Sequence, residues 1–192
     1  MDTDGKVIAG GQTGVDTAAL NVASELGIPT GGFCPRTAED ANGPISGEKL
    51  VQWNLTPVTD QVWESGKKEA FLELNDIPYD VNRSGSEADV FAERTMLNLL
   101  HSDGTLTIAP EPVADGTNLG LAAAKAIGKP TLVVDLQDPV ADLETLKEWI
   151  QTNSIRRLNF NGPRESSIPG IQERATQIFT KWFPELRSLL IN

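Results

Sequence analysis

The chain has little of what metal centres and secreted folds are built from. It holds one cysteine, Cys34, and one histidine, His101, in 192 residues. A single cysteine excludes an intrachain disulfide, and with a single histidine it leaves no donor set for a Cys/His zinc site, so no dedicated metal site is predicted. No window approaches the roughly 18 consecutive apolar residues of a membrane-spanning helix, and no apolar leader opens the chain. Together these absences predict a cytoplasmic protein. Cations are short as well: 16 Lys and Arg against 27 Asp and Glu leave a net charge of −11. Such a chain is expected to bind neither nucleic acid, whose phosphates must exchange counterions for Lys and Arg, nor an anionic membrane. An anionic ligand has to be held by local donors, because the global field repels it. Two nucleotide signatures, GxGxxG and GxxxxGK[ST], are also missing.

What the chain does have is an alternation of short apolar runs with helical patterns. Runs at 6–9, 30–34, 104–109, 131–136 and 158–160 predict five strands. After the first, Val15, Ala18, Ala19, Val22, Ala23 and Leu26 mark one buried helical face, which Gly27 and Pro29 end. Similar patterns predict helices over 88–102, 117–127 and 139–151, and a last one opened by Pro169. Strands alternating with helices predict an α/β fold: a doubly wound, mainly parallel sheet of about five strands, helices on both faces, Rossmann-like. We expect a single domain over 1–192 with an irregular elaboration at about 53–86. Residues 35–90 show no clear strand, and a helix is expected near 61–74. Trp53 and Trp63 are read as packing residues, with a cover over the pocket or an interface as the alternatives.

In such sheets a ligand lies beyond the carboxyl ends of the strands. Three strand-to-helix junctions there carry unusual chemistry. The first is GGQTGVDT, residues 10–17. Its glycines let the backbone approach a ligand, the helix start offers N–H groups, and Gln12 and Thr13 add donors. A tight turn with helix capping is the plainer alternative. Asp16 suits a first helical turn but repels a phosphate unless a cation bridges the two; gripping a ribose or pterin hydrogen is its other use. The second junction is Ala114-Asp115-Gly116-Thr117-Asn118, an anion cradle or simply Thr117 as an N-cap. The third, residues 161–167, offers Arg164 for bidentate contact with a phosphate or carboxylate, or for pairing with Glu165. On the preceding helix Arg94 and Asn98 stand four apart and share a face.

These stretches resemble a known family. GGQTGVDTAAL, GFCPRTAED with GPI after it, RTMLNLLHSDGTLTI, the GT loop before GKP, and LNFNGPRESSIPGI occur in that order in the molybdenum cofactor carrier proteins. Those are a circularly permuted YpsA-like branch of the group that includes the lysine-decarboxylase-like LOG proteins. The resemblance spans nearly the whole chain except about 53–86. It implies a Rossmann-like domain that holds a phosphate-bearing ligand, molybdenum cofactor or a nucleotide, often as a homo-oligomer (dimer or tetramer). It points to Gly10, Gly11, Gln12, Thr13, Gly14 and Asp16, then to Arg94, Thr95, Asn98, Ser102 and Asp103. Beyond these it points to Gly116, Thr117, Gly162, Pro163, Arg164, Glu165 and Ser166, while Asn118 is a candidate through the second junction. Between Pro35 and Ala38 only Arg36 and Thr37 stand where the family has further cations, which makes Arg36 the remaining candidate there.

The chain therefore reads as a binding or carrier protein for a phosphate-bearing small molecule at the carboxyl edge of the sheet. The alternative is a LOG-like phosphoribohydrolase acting on nucleoside monophosphates. That activity goes with a glutamate three residues after the GT pair, where this chain has Gly120. No catalytic residue is assigned, and a ligand-free scaffold is the third reading.

Overall fold

The computed structural model describes residues 5–70, 87–110 and 115–191. In chain order the elements are β1 (Lys6–Ile8), α1 (Val15–Glu25), β2 (Thr30–Cys34), β3 (Glu39–Asp40), β4 (Gly43–Pro44), α2 (Gly47–Gln52) and β5 (Leu55–Pro57). There follow α3 (Asp60–Ala70), α4 (Glu87–Leu100), β6 (Gly104–Ile108), α5 (Asp115–Ala126), β7 (Thr131–Val134), α6 (Pro139–Thr152), β8 (Arg157–Asn161) and α7 (Ile171–Ile191). Six strands form one parallel sheet in the order β5-β2-β1-β8-β6-β7. β3 and β4 make a separate antiparallel pair. The expected α/β, Rossmann-like architecture is the one observed.

The strand count differs. β5 reads Leu55-Thr56-Pro57 and lacks the apolar run that marks the equally short β1, so nothing in the sequence singles it out. It ends at Pro57, which a sheet edge tolerates because no further neighbour needs its missing N–H. The short β3–β4 pair escaped notice for the same reason. α7 begins at Ile171 rather than at Pro169, because Gly170 at φ 85° interrupts the chain between them. It then runs past Pro184 to Ile191 without ending. The helix expected near 61–74 is α3; residues 71–86 of the expected elaboration lie outside the described residues. Trp53 and Trp63 are both core residues, 1 % and 3 % exposed, as their packing reading requires.

Each strand divides its side chains between two layers. On one face Val7, Leu106, Leu158 and Phe160 meet α1, α6 and α7. On the other, Leu97 and Leu99 of α4, Ala123 and Ala124 of α5 and Trp63 of α3 form a second cluster. β8 shows the alternation: its two apolar side chains join the first cluster. Its asparagines bond across to β6 instead, Asn159 Nδ2 to Thr105 Oγ1 at 3.3 Å and Asn161 Nδ2 to Thr107 Oγ1 at 3.4 Å. From β1 the chain builds outward through β2 to β5, then returns by α3 and α4 to β6 on the far side of β1 and β8. So α1 leaves β1 toward one layer while α5 leaves β6 toward the other. The space between such diverging crossovers, at the carboxyl ends of the strands, is where this architecture holds ligands. None of the described helices is long and apolar enough to cross a membrane.

The first layer is anchored by rings. Phe160 meets Phe179 at 5.1 Å and Phe183 at 5.5 Å between centroids, both edge-on, which suits the aromatic quadrupole. Phe160→Ala is expected to cost about 3–5 kcal/mol in urea unfolding. A loss below about 1 kcal/mol, the scale of surface changes, would mean that this cluster does not carry the layer.

Candidate functional site

The loop after β1 turns on two glycines. Gly10 has no room for a side chain: a Cβ there would stand 1.7 Å from Arg94 Nη1. Gly14 sits at φ 88°, and a Cβ would come within 2.3 Å of the Pro163 carbonyl oxygen. Glycine at these positions lets α4 reach the loop from one side and the β8 loop from the other. Gly14 is the N-cap of α1 but makes no side-chain cap. Its N–H donates instead to Gln172 Oε1 at 2.9 Å, and the Val15 N–H donates to the Pro163 carbonyl at 3.3 Å. Gly10, Gly11, Gln12, Thr13, Asp16 and Pro163 are all buried, and Gly162 is half-buried.

Asp16 organises the loop. Its Oδ2 accepts hydrogen bonds from the N–H of Gly10 at 3.1 Å and of Gln12 at 3.3 Å, and from Arg94 Nη1 at 2.7 Å. The carboxylate is 5 % exposed and the Arg94 side chain 14 %, so the ion pair is largely out of water. Asp16 belongs to α1 in the first layer and Arg94 to α4 in the second. The pair therefore bridges the two layers across the carboxyl edge. Arg164 joins this neighbourhood: burial and the nearby Arg94 charge push its guanidinium below its ordinary range, while Asp16 pulls the other way.

The second junction meets the third through Asn161, whose Nδ2 donates to the Thr117 carbonyl at 3.1 Å. Thr117 is the third residue of α5, not its N-cap. Gly116 precedes it in the same turn, and Asn118 after it is exposed. Gly120 lies against Asn161, where a Cβ would come within 2.7 Å of Nδ2. The position at which a LOG-type glutamate would stand is thus taken up by the Asn161 amide, which would have to move for any side chain there.

Five buried side-chain polar atoms among the described residues lack a hydrogen-bond partner. Four of them are on the loop after β1 and on helices α4 and α5: Gln12 Oε1, Thr13 Oγ1, Thr117 Oγ1 and Arg94 Nε. The fifth, Asp142 Oδ2, is on α6. Each such atom costs about 1–3 kcal/mol.

A model of the circularly permutated YpsA SLOG family matches residues 7–183. The chain belongs to this family. Among solved structures it is similar to the "Putative molybdenum carrier protein" from Syntrophus aciditrophicus SB, with 26 % sequence identity and a TM-score of 0.71. That match covers 92 % of this chain and 93 % of the other. No curated protein matches it.

Several residues singled out in the sequence do other work in this SLOG chain. Arg36 is not left for a ligand: it pairs with Glu93 through Nε at 2.5 Å and Nη2 at 3.0 Å, and with Asp60. Asn98 is 2 % exposed and clasps β2, accepting from the Phe33 N–H at 2.7 Å and donating to its carbonyl at 3.1 Å. Ser102 closes α4 by donating to the Leu99 carbonyl at 2.9 Å. Asp103 binds Arg157 at 2.6 Å and accepts the backbone N–H of Arg156 and Arg157. Ser102 and Asp103 precede β6, so a parallel sheet puts them at its amino edge, opposite the loops above. Glu165 accepts the N–H groups of Gly170 at 2.6 Å and Gln172 at 2.9 Å, capping the approach to α7, and these bonds hold its carboxyl below the ordinary range. It does not pair with Arg164 in any of these bonds. Ser166 is exposed beside it, and Thr95 is half-buried next to Arg94 on α4. Cys34 is a core thiol, pushed up to about 11 by burial.

The loop amides are also less available than the sequence suggested. Those of Gly10 and Gln12 are held by Asp16, that of Gly14 by Gln172 and that of Val15 by Pro163. Sequence reasoning placed Asn161 in the third junction without its partner Thr117, and missed Gln172 and Glu93. Asn161 had a signal, as a polar residue ending an apolar strand at the carboxyl edge; Gln172 and Glu93 sit in ordinary amphipathic helices and had none. Among the described residues no three His, Cys, Asp or Glu side chains gather where a metal ion could be held.

Breaking the bridge strands a buried charge. Arg94→Met is expected to cost about 3 kcal/mol, and Asp16→Asn in the same chain to recover part of that loss. A urea double-mutant cycle measures the coupling, and strict additivity would show the pair to be independent. At the amino edge, burial alone would raise the Asp103 carboxyl, but Arg157 and the two backbone N–H groups hold it below the ordinary carboxylate range. Its contribution is therefore complete above the unfolded-chain value near about 4 and is lost as pH falls through the lower folded value. Stability measured against pH should show this acid-side loss in the parent chain and lack it in Asp103→Asn.

Proposed function

We propose that this SLOG chain is a small-molecule binding or carrier protein whose ligand bears a phosphate, with molybdenum cofactor, a pterin carrying a phosphate tail, as the ligand of choice. The observation that carries this reading is that four of the five orphaned, buried side-chain polar atoms among the described residues lie on the loop after β1 and on α4 and α5 at one sheet edge. Several unsatisfied buried groups gathered in one place mark a site that an incoming ligand can complete. Their chemistry suits a pterin or nucleotide phosphate: hydroxyls at Thr13 and Thr117, a guanidinium N–H at Arg94, and an amide oxygen at Gln12. With the Arg94 charge balanced by Asp16, Arg164 brings positive charge to an edge of an otherwise acidic chain. The related protein's description as a molybdenum carrier agrees with this reading. Glycine at residue 120 favours binding over LOG-type hydrolysis, because the glutamate that chemistry uses is not there.

The purified native protein should release a pterin or nucleotide phosphate on denaturation, identified by mass spectrometry. Ligand at about a hundredfold excess over its dissociation constant should stabilise the apo chain by about 2.7 kcal/mol. Arg164→Met and Thr117→Val should each weaken binding by roughly tenfold. A melting temperature that stays flat across pterin phosphates, nucleotides and molybdate would sink the proposal.

A further inference from the structure

Resting on that reading, we propose that Gln12 is the residue that selects for the organic part of the ligand: its amide oxygen accepts a hydrogen bond from an N–H or O–H there. The ligand class is then a phosphate joined to a donor-bearing group, not a bare oxyanion. The orientation of the Gln12 amide is settled by its neighbour. Its Nε2 donates to the Glu39 carbonyl at 3.2 Å, and a carbonyl can only accept. Oε1 is thereby the opposite end of the group, a pure acceptor. The residue is 2 % exposed and Oε1 has no partner. Only a donor completes it; a deprotonated phosphate or molybdate oxygen would be repelled.

The surrounding charges point the same way. The Gln12 N–H is already engaged by Asp16 Oδ2. A second anion at this end of the loop would find the Gln12 amide N–H taken and the Arg94 charge already balanced by Asp16. A neutral donor-bearing group meets an acceptor instead. The Gln12 side chain also reaches toward β3, which follows β2, whereas Arg164 and Thr117 follow β8 and β6. In the strand order β2-β1-β8-β6 these are opposite sides of β1. The ligand accordingly lies across the strand ends, its organic part over β1 and β2 and its anionic part over β8 and β6.

Two probes separate these ends at mildly alkaline pH. Guanosine 5′-monophosphate carries donors on its base and sugar; molybdate is a tetrahedral dianion with none. Calorimetry on the full chain should show the nucleotide binding more tightly than molybdate. Gln12→Met, which keeps length and removes the acceptor, should weaken the nucleotide roughly three- to tenfold and leave molybdate unchanged. Thr117→Val should weaken both. Should Gln12→Met fail to fold, the parent chain decides alone: molybdate binding as tightly as the nucleotide overturns the inference. So does an equal effect of Gln12→Met on both probes, or no effect on either, the outcome if Oε1 is completed by a buried water. If the parent chain binds neither probe nor any pterin phosphate, the proposed function falls as well, whereas loss of selectivity alone leaves that function standing.

Discussion

One buried ion pair sets the geometry of the carboxyl edge. Asp16 enters from the layer of α1 and Arg94 from the layer of α4, and they meet over the strand ends at 2.7 Å. A charge so far out of water is tolerable only when its partner and its remaining lone pairs are supplied. Asp16 therefore draws in the N–H groups of Gly10 and Gln12, which bends the loop around it. Arg94 in turn needs the space that a side chain at residue 10 would fill. Two layers that share no hydrophobic cluster are thus joined by electrostatics at the point where the ligand is proposed to lie.

The two edges of the sheet contrast in how fully their polar groups are met. At the amino edge Asp103 collects Arg157 and two backbone N–H groups, and Lys129 Nζ donates to the Ser102 carbonyl at 2.5 Å. Those groups look inward and stabilise the fold. At the carboxyl edge an acceptor, two hydroxyls and a guanidinium N–H are buried and unmet. Unmet buried polarity lowers stability, so its concentration at one place supports the proposed binding site.

The fold was legible because periodicity survives in one dimension. The apolar stripe of α1, the apolar runs of β1, β2, β6, β7 and β8, and the glycine-proline stop after α1 are all local patterns. β5 was not legible, since a leucine, a threonine and a proline form no apolar run and proline argues against a strand. The start of α7 shifted because a positive φ at Gly170 is a conformational fact, not a compositional one. The candidate site divides in the same way. The Gly10–Asp16 loop, Arg94, Thr117 and Arg164 could be read as candidates from residue types at strand-to-helix junctions. Arg36, Asn98, Ser102, Asp103 and Glu165 carry the same polar chemistry in the same motifs, yet each is taken up by a neighbour: Glu93 and Asp60, the Phe33 backbone, the end of α4, Arg157, and the chain entering α7.

By itself the sequence determined which segments are strands and helices, that the sheet is largely parallel, and that glycine-rich turns stand at its carboxyl end. These follow from side-chain periodicity and backbone freedom, which depend on near neighbours. Only the tertiary structure decided which polar groups are already satisfied. That depends on partners tens of residues away, Arg94 for Asp16, Glu39 for Gln12 and Asn161 for Thr117. No local pattern encodes whether a donor will find its acceptor once the layers close.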